Sequence, residues 1–436
     1  MLNFVARPLV RLVDRYLPDP FIFVIVLTIV AVAAAIGVQG QGPLSVVRMW
    51  GDGFWNLLSF SMQMLLVLVT GFMLASTPVV RRGLEALAGK VSGPGGAIVL
   101  VTLVSLLASW INWGFGLVVG AFFAKEMARQ VRVDYRLLVA SAYSGFLVWH
   151  GGLAGSVPLS IATAGHPFED MTGVIGTGQT IFAPFNLAIL AALFVAVPLL
   201  NRLMLPAERH SIYVDPALIE PESDSVHAQP RTPAQRMENS PALSWMIGLA
   251  GLLYIVDYFL RSGGLSLNSI NMTFLVLAIL LHGTPRNLLD SLEEAVKGGA
   301  GIVIQFPFYA GIMAVMVQSG LAATISDWLI SFSTDRTLPF WTFLSAGLVN
   351  LFVPSGGGQW AVQAPVVIPA AQELGADMAR AAMAVAWGDA WTNMIQPFWA
   401  LPILGIAGLR AKDIMGYCLM QLIVAGAIIA ALLTYL

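Results

Sequence analysis

The sequence predicts an all-α polytopic membrane protein made of two halves with inverted topology. Three observations lead to that prediction. Hydrophobic residues make up 58% of the 436 positions and charged residues only 11%, whereas a soluble domain carries about 25% charged residues. The few charges are clustered, so the uncharged runs between them reach the roughly 20 residues that a helix needs to cross a bilayer. The two halves of the chain also match each other at a nearly constant offset.

The overall composition already excludes several classes of protein. With so few charges, a water-soluble fold of this size could not cover its surface, which argues against a soluble enzyme or a disordered regulator. The formal net charge of −2 and the isoelectric point near 6.2 give no basic surface for nucleic acid. The single cysteine, Cys418, excludes an intramolecular disulfide framework and a multi-cysteine metal site.

The uncharged runs define the predicted elements in chain order. They lie at 20–47, 53–80, 91–124, 137–168, 171–201, 239–256, 262–285, 298–326, 337–372 and 414–436, and a further run at 381–409 is interrupted only by Asp389. Two runs, 91–124 and 337–372, are long enough for two short segments and contain glycine-rich breaks, so we interpret each as a re-entrant hairpin. The remaining runs predict about nine transmembrane helices.

Self-similarity sets the predicted domain boundaries. The segment that starts at Arg136 aligns with the segment that starts at Arg380, and Gln63 aligns with Gln305. We therefore predict an amphipathic N-terminal segment, a first repeat, a cytoplasmic linker, a connecting transmembrane helix and a second repeat. Their ranges are 1–20, 21–205, 206–241, 242–260 and 261–436. The connecting helix inverts the second repeat, and inverted repeats with paired broken helices are typical of secondary transporters.

The positive charges predict the orientation in the membrane. With the N-terminus in the cytoplasm, only four of the 22 Lys and Arg residues lie on the opposite side, namely Arg48, Arg261, Arg336 and Arg380. Cytoplasmic loops carry such an excess of positive charge, which predicts a multi-pass membrane protein with its N-terminus in the cytoplasm. The apolar run after Arg7, Arg11 and Arg15 lacks a signal-peptide cleavage site, so we expect the N-terminal segment to remain on the membrane surface.

The first pair of broken helices is the predicted substrate site. The breaks are centred on Asn112–Gly116 and on Asn350–Gln359, where three consecutive glycines interrupt an apolar run. Free amides at the N-terminus of a half-helix carry partial positive charge and suit a small carboxylate. The alternative is a glycine-lined helix crossing without a ligand. The predicted substrate-binding residues are Asn112, Trp113, Gly114, Gly116, Asn350, Ser355, Gly356, Gly357, Gly358 and Gln359.

The second pair of broken helices, Tyr143–Pro158 and Trp387–Pro402, is the predicted coupling-ion site. Asp389 has no basic residue within eight positions along the chain, and an ionisable group inside a membrane is a functional candidate. The predicted coupling-ion residues are Asp389, Asn393, Gln396 and His150. The alternative for Asp389 is a structural hydrogen bond to an amide at the break. We expect no cofactor and no metal, only H+ or Na+ as the coupling ion.

The sequence contains no catalytic motif. GxxxxGK[ST], HExxH and GxSxG are all absent, so we predict that the protein is not an enzyme, and an intramembrane enzyme remains an unfavoured alternative. A channel would also fit the hydropathy, but paired broken helices favour alternating access.

Several long motifs cover essentially the whole chain. They are YLPDPFIF at 16–23, MWGDGFWNLLSFSMQM at 49–64, INWGFGLVVGAFFAKE at 111–126, IQFPFYAGI at 304–312, VPSGGGQW at 353–360, NMIQPFWALPILGIAGL at 393–409 and DIMGYC at 413–418. With these motifs the chain resembles the bacterial short-chain fatty acid transporters of the acetoacetate/butyrate permease type, which belong to a larger ion-transporter superfamily.

The resemblance implies transport of short-chain fatty acids such as acetoacetate and butyrate, coupled to protons. It also implies a scaffold domain, a transport domain that moves like an elevator, and a homodimer. Asp389 stands where the family pattern has Glu, so the carboxylate is kept but shortened, and His150 stands where the pattern has Gly. A sodium-coupled carboxylate or dicarboxylate transporter on the same fold stays open, although no second cationic clamp for a second carboxylate is evident.

Overall fold

A computed structural model describes residues 20–214, 232–261, 263–351, 353 and 355–436. Within these ranges the chain forms helices joined by turns, without a strand. The amphipathic segment predicted for 1–20 lies outside the described residues except for its last position. The centre of the predicted linker 206–241 lies outside them as well.

Ten α-helices form over residues 20–214, the described part of the first half. They are α1 (Pro20–Gly37), α2 (Pro43–Gly53), α3 (Leu58–Ala75), α4 (Pro78–Ala88), α5 (Pro94–Ile111), α6 (Trp113–Gln130), α7 (Tyr135–Ser144), α8 (Ser156–Ile161), α9 (Glu169–Thr172) and α10 (Pro184–Leu203). Several begin with proline at the first helical position, where the missing N–H costs nothing because that amide would have no partner in the helix. Two further helices lead to the second half: α11 (Pro233–Glu238) and α12 (Pro241–Leu260).

The described residues of the second half form nine α-helices in a similar order. They are α13 (Leu267–His282), α14 (Pro285–Lys297), α15 (Ala300–Gln318), α16 (Leu321–Phe332), α17 (Leu338–Asn350), α18 (Gly356–Leu374), α19 (Met378–Thr392), α20 (Pro397–Ala407) and α21 (Ala411–Tyr435). Their N-caps repeat those of the first half. Asn112 caps α6 as Ser355 caps α18, and Asp134 caps α7 as Asp377 caps α19. The partners in each pair are 243 residues apart.

Seven helical segments in the described ranges are long and apolar enough to cross a membrane. They are Leu58–Ala75, Pro94–Ile111, Tyr135–Ile161, Pro184–Leu203, Pro241–Leu260, Ala300–Gln318 and Ala411–Tyr435. The prediction of an all-α protein with several spanning helices is therefore confirmed, while the count of nine stays a prediction. Two predicted spans form shorter apolar helices, Val24–Gly37 and Leu267–His282, and the one at 381–409 is divided between α19 and α20.

The stretches predicted as hairpins each form two antiparallel helices. In the first, Gly116 faces Ser109 and Gly120 faces Ser105, so α5 and α6 run past each other from the turn at Asn112. In the second, Gln359 donates to the carbonyl of Ala346 at 2.8 Å. Helix α5 has 18 residues, longer than the short segment expected for a re-entrant arm. The described structure therefore supports the hairpin geometry but leaves the depth of each arm as a prediction.

A buried cluster of hydrogen-bonded side chains connects the two halves. The side-chain amide of Asn201 donates to Thr102 Oγ1 at 3.0 Å and to Ser144 Oγ at 2.9 Å, and its oxygen accepts from Gln421 at 2.8 Å. Tyr143 adds a bond of 2.6 Å to the carbonyl of Asn393. Buried polar groups are stabilising only when they are hydrogen-bonded, so these contacts fix α21 of the second half against α5, α7 and α10.

Substitution of Gly116 should test the close packing of the first hairpin. A Cβ at Gly116 would lie 2.6 Å from the backbone nitrogen of Ser109, so Gly116→Ala should force the two helices apart and destabilise the protein by about 1–3 kcal/mol. Gly51→Ala is the matched control, because a Cβ at Gly51, also in a helix, meets nothing within 4 Å. Thermal unfolding in detergent measures both. Equal melting temperatures for the two variants would contradict the hairpin packing.

Candidate functional site

Both breaks of the second pair are present and lie next to each other. Helix α7 ends at Ser144, a 3₁₀ turn runs over Gly145–Gly151, and α8 begins at Ser156. A Cβ at Gly152 would overlap the backbone of Trp110, so glycine is required where this break touches the first hairpin. In the second half, α19 ends at Thr392, a 3₁₀ turn covers Asn393–Ile395, and α20 begins at Pro397.

Asp389 and His150 form a buried acid–histidine pair across these breaks. Nδ1 of His150 lies 3.1 Å from Oδ2 of Asp389, and both side chains are fully buried. Asn393 donates to the same carboxylate oxygen at 3.4 Å. The other oxygen, Oδ1, accepts no hydrogen bond from the part of the chain that the structure describes. Asp389, isolated along the sequence, therefore has its partner in the other half of the protein.

The hydrogen bond at the far side of the ring defines the tautomer of His150. The backbone N–H of Val157 donates to Nε2 at 3.3 Å, so Nε2 is an acceptor and the neutral ring carries its proton on Nδ1. That proton faces Asp389, although Nδ1 and Oδ2 are not aligned well enough to meet hydrogen-bond geometry. The ring of Trp149 stacks on the imidazole with 3.8 Å between centroids. The ring is thus held by a hydrogen bond at Nε2 and by stacking on one face.

Asn350 joins the second hairpin to the break after α19. Its amide lies 2.8 Å from the carbonyl of Asp389, 2.9 Å from Thr392 Oγ1 and 2.7 Å from Asn393 Oδ1. Gln396 donates to the carbonyl of Asn350. The structure therefore places Asn350, predicted among the substrate-binding residues, with the predicted coupling-ion residues.

The hairpin tips are capped and tightly packed. Asn112 accepts from the backbone N–H of Phe115 at 2.9 Å and donates to the carbonyl of Val67 at 3.3 Å. Ser355 accepts from the backbone N–H of Gly358 at 3.4 Å. Side chains of other segments pack closely against the three glycines after Ser355, so a Cβ at any of these positions would be too close to a neighbour. Gly356 lies against His150 and Trp149, Gly357 against Phe60, and Gly358 against Tyr309.

A cavity of about 1100 Å³ leads from the surface to the hairpin tips. At its surface end lie exposed Arg81, Glu294 and Lys297. Glu294 forms an ion pair of 2.5 Å with Lys297 and raises the pKa of that ammonium group. The inner end, by contrast, is formed by aromatic rings and the two hairpin tips. Its residues are Trp113, Gly114, Trp149, Ser355, Gly356 and Gly357.

Aromatic rings form much of the wall at the inner end. Trp399 of α20 lies 5.5 Å from Trp113 and 6.2 Å from Trp149, measured between ring centroids, and it also lines the cavity. Ser156 and Gln305 contribute polar groups to the same wall. An elongated small molecule with one polar end fits such a surface, because apolar contacts supply area and a few polar groups fix orientation.

Half of the predicted substrate-binding residues line this cavity, namely Trp113, Gly114, Ser355, Gly356 and Gly357. The others lie behind the wall and hold the hairpins together, namely Asn112, Gly116, Asn350, Gly358 and Gln359. The predicted coupling-ion residues meet in one cluster, also behind the wall, where Asp389 contacts His150 and Asn393, and Gln396 contacts Asn350.

Sequence reasoning missed part of the site. Met64 and Phe306 line the cavity but resemble any apolar residue of a spanning helix. Tyr309 donates to Gln305 at 3.2 Å and packs against Gly358, and only its position in a matched repeat element could have indicated it. Gln63, the repeat counterpart of Gln305, donates to Asn268 at 2.9 Å.

The described residues contain no group of three or more His, Cys, Asp or Glu side chains that could hold a metal ion. The cluster itself combines the acid–histidine pair with neutral amides and hydroxyls that donate and accept hydrogen bonds.

Comparison with known proteins identifies the family. The family model described as short chain fatty acid transporter matches residues 1–436. The chain belongs to the short-chain fatty acid transporter family. A relative from Escherichia coli K12, provisionally named a short-chain fatty acid transporter, is 46% identical over 438 residues and covers 100% of both chains. A relative from Haemophilus influenzae with the same provisional name is 43% identical over 434 residues and covers 97% of each.

Solved structures share the fold. The YdaH transporter of Alcanivorax borkumensis superposes with a TM-score of 0.60 over 95% of this chain and 98% of that one, at 16% identity. MtrF of Neisseria gonorrhoeae, which is assigned to a class of antimetabolite efflux pumps, gives a TM-score of 0.51 over 99% and 96%, at 15% identity. At these identities the likeness shows the fold alone. Membership of the short-chain fatty acid transporter family makes the chain a membrane transporter and not an enzyme.

Cysteine labelling should test whether water reaches the hairpin tip. Ser355 lines the cavity, whereas Ser141 is fully buried and the native Cys418 is buried as well. A small polar thiol reagent should therefore modify Ser355→Cys at least about tenfold faster than the matched control Ser141→Cys, because buried thiols are inert. Mass spectrometry of the labelled protein measures both rates. Equal rates for the two variants would rule out an open route to Ser355.

Proposed function

We propose that this protein is a secondary active transporter that carries short-chain fatty acids such as acetoacetate and butyrate across the bacterial cytoplasmic membrane by proton symport. Membership of the short-chain fatty acid transporter family gives the substrate class. One structural observation supports proton coupling: a buried acid–histidine pair lies directly behind the hairpin tip at the inner end of the cavity.

The lining of the cavity favours a monocarboxylate. The cations among its described lining residues, Arg81 and Lys297, lie at the exposed surface end. At the inner end, the first turn of α18 offers neutral N–H groups and the positive end of a helix dipole to one carboxylate. Trp113, Trp149 and Trp399 then provide an apolar surface for a short alkyl chain. A second carboxylate would meet these rings and lose its hydration without a partner.

Proton coupling follows from charge balance in a buried site. The neutral histidine and the ionised aspartate together carry one negative charge, and a proton bound to the pair cancels it. A carboxylate that binds at the hairpin tip restores that charge. The loaded and empty forms of the transporter therefore carry the same net charge, which avoids the large cost of moving an additional charge into the low-dielectric interior.

A sodium-coupled carboxylate transporter is the second candidate, and one observation favours it. Asp389 Oδ1, Asn350 Oδ1 and Gln396 Oε1 are buried oxygens that accept no hydrogen bond from the described residues. Hard cations bind to oxygen ligands of this kind. Uptake measurements with and without sodium, at a fixed pH gradient, separate the two candidates.

We further propose that the two halves are inverted repeats and that one part of the protein moves as an elevator against a scaffold, within a homodimer. The repeated helix order and the repeated N-caps support the repeat. The positive charges support an N-terminus in the cytoplasm. The cavity opens beside Arg81 and Lys297, which this orientation places on the cytoplasmic side, so the described conformation corresponds to an inward-open state.

Neutralisation of Asp389 should separate coupling from binding. A gradient of one pH unit, worth about 1.4 kcal/mol, lets a one-to-one proton symporter accumulate its substrate about tenfold. We expect Asp389→Asn to lose this accumulation of radiolabelled butyrate in proteoliposomes, because the pair then lacks the negative charge that a bound proton cancels. Counterflow of butyrate against butyrate, which needs no net proton movement, should continue.

Asp257→Asn is the matched control, since Asp257 is exposed and pairs with Arg261 on the next helical turn, at 2.9 Å. It should accumulate butyrate like the unmodified protein. Full pH-driven accumulation by Asp389→Asn would refute the coupling role. Absence of butyrate counterflow in the unmodified protein would refute the proposed substrate instead.

A further inference from the structure

His150 lies at the meeting point of four elements around the cavity. Besides Asp389 on α19, it contacts the first turn of α8 through the Val157 amide. Its ring lies so close to α18 that a Cβ at Gly356 would be 2.7 Å from Nε2. The fourth contact is the stacked ring of Trp149. A movement of His150 therefore displaces these neighbouring residues, because close packing leaves no free space between them.

A second proton on the imidazole is incompatible with this arrangement. Nε2 of the neutral ring accepts from Val157 N–H at 3.3 Å. Once Nε2 carries a proton, it becomes a donor that points at another donor, and the Val157 amide loses its acceptor. A buried amide without an acceptor is unfavourable, because it has lost its hydrogen bonds to water and gains none in the protein. The protonated ring and the first turn of α8 must therefore separate.

From this geometry we infer that protonation of His150 changes the wall of the substrate cavity. The neutral ring binds the Val157 amide, and the protonated ring releases it. The inference rests on the proposed function. A proton that enters from the cavity adds to Nε2, and the resulting imidazolium is balanced by the Asp389 carboxylate at 3.1 Å. The first turn of α8 then shifts away, so His150 acts as a positioning residue for the wall of the substrate site.

Two wall residues connect this step to the substrate. Ser156 precedes Val157 directly, Trp149 precedes His150 directly, and both line the cavity. A shift at the Val157 amide therefore changes the surface that the substrate touches. Because coupling between two sites is reciprocal, a carboxylate that binds better to the shifted wall also increases the affinity of His150 for its proton. This reciprocity is what proton symport requires.

Few other ionisable groups act on His150. Asp389 faces it from α19, and the hydroxyl of Tyr309 on α15, which feels the charge of Asp389, donates to Gln305 at 3.2 Å. Tyr143 on α7 donates its hydroxyl to the carbonyl of Asn393 at 2.6 Å. The first turns of α8 and α18 contribute no titratable side chain among their described residues. Among the described residues, Asp389 is thus the charged group that faces the imidazole of His150.

Replacement of His150 by glutamine is the direct test. In His150→Gln the side-chain oxygen can accept from Val157 N–H at every pH but cannot take up a proton. The half-saturation concentration of butyrate in counterflow, measured on full-length protein in proteoliposomes between pH 5.5 and 8, should become independent of pH.

His166→Gln is the matched control. His166 is also buried, but both of its ring nitrogens bond within its own loop, to the carbonyl of Gly173 at 3.0 Å and to the N–H of Phe168 at 3.3 Å. This variant should keep the pH dependence. An unchanged pH dependence in His150→Gln overturns the inference while the proposed function stands. Absence of butyrate counterflow in the unmodified protein overturns the proposed function, independently of His150.

A measurement on the unmodified protein keeps the test decisive if His150→Gln does not fold. Amide hydrogen exchange in peptides that cover 152–161 should increase at pH 5.5 relative to pH 8, after correction for the intrinsic pH effect, because protection reports local opening. Peptides from α12, at the far side of α13, should show no such change. Equal protection of 152–161 at both pH values overturns the inference.

Discussion

The structure depends on one constraint, which is that helices broken inside an apolar interior must find partners for their free backbone groups within the protein. In lipid each unsatisfied group costs several kcal/mol. Asn112 and Ser355 meet this requirement at the two hairpin tips by accepting hydrogen bonds from the amides that follow. Asn350 meets it at the break after α19, where its amide reaches the carbonyl of Asp389. Hydrogen bonds hold the polar groups of each helix break in place within an apolar surrounding. The residues that stabilise the fold therefore also position the candidate site.

Features that depend on neighbouring residues were predictable from the sequence. A helix cap needs only the residue before the helix and the amides of its first turn, so Asn112 and Ser355 could be recognised within their breaks. The similarity between the two halves is visible in the sequence because it is distributed over both of them, and the N-caps Asp134 and Asp377 fall on the same offset. The glycine breaks located the inner end of the cavity, because three consecutive glycines are unfavourable in the middle of a regular helix.

Features that depend on distant residues were not predictable. Along the chain, Asp389 looks like an isolated charge and His150 like a single histidine, yet the fold brings their side chains to 3.1 Å. The sequence also could not distinguish a residue on the cavity wall from one directly behind it. Asn350 and Gln359 lie in the same break as Gly356, but their amides bond to carbonyls of neighbouring segments while Gly356 reaches the cavity. The rotation of a helix about its own axis determines whether a residue lies on the cavity wall or behind it, and packing against other helices sets that rotation.

The location of the acid–histidine pair behind the wall, and not in the cavity itself, has a physical reason. A carboxylate in open water has little effect on its neighbours, because water screens it strongly. Behind Gly356 the pair is fully buried, so a change in its protonation alters the electrostatics of the hairpin tip with little screening. The glycine is what permits this arrangement, because a Cβ at that position would lie 2.7 Å from Nε2 and 2.8 Å from the ring of Trp149. The backbone of Gly356 therefore separates the cavity from the acid–histidine pair, and in the proposed mechanism this thin layer lets the bound carboxylate and the proton influence each other.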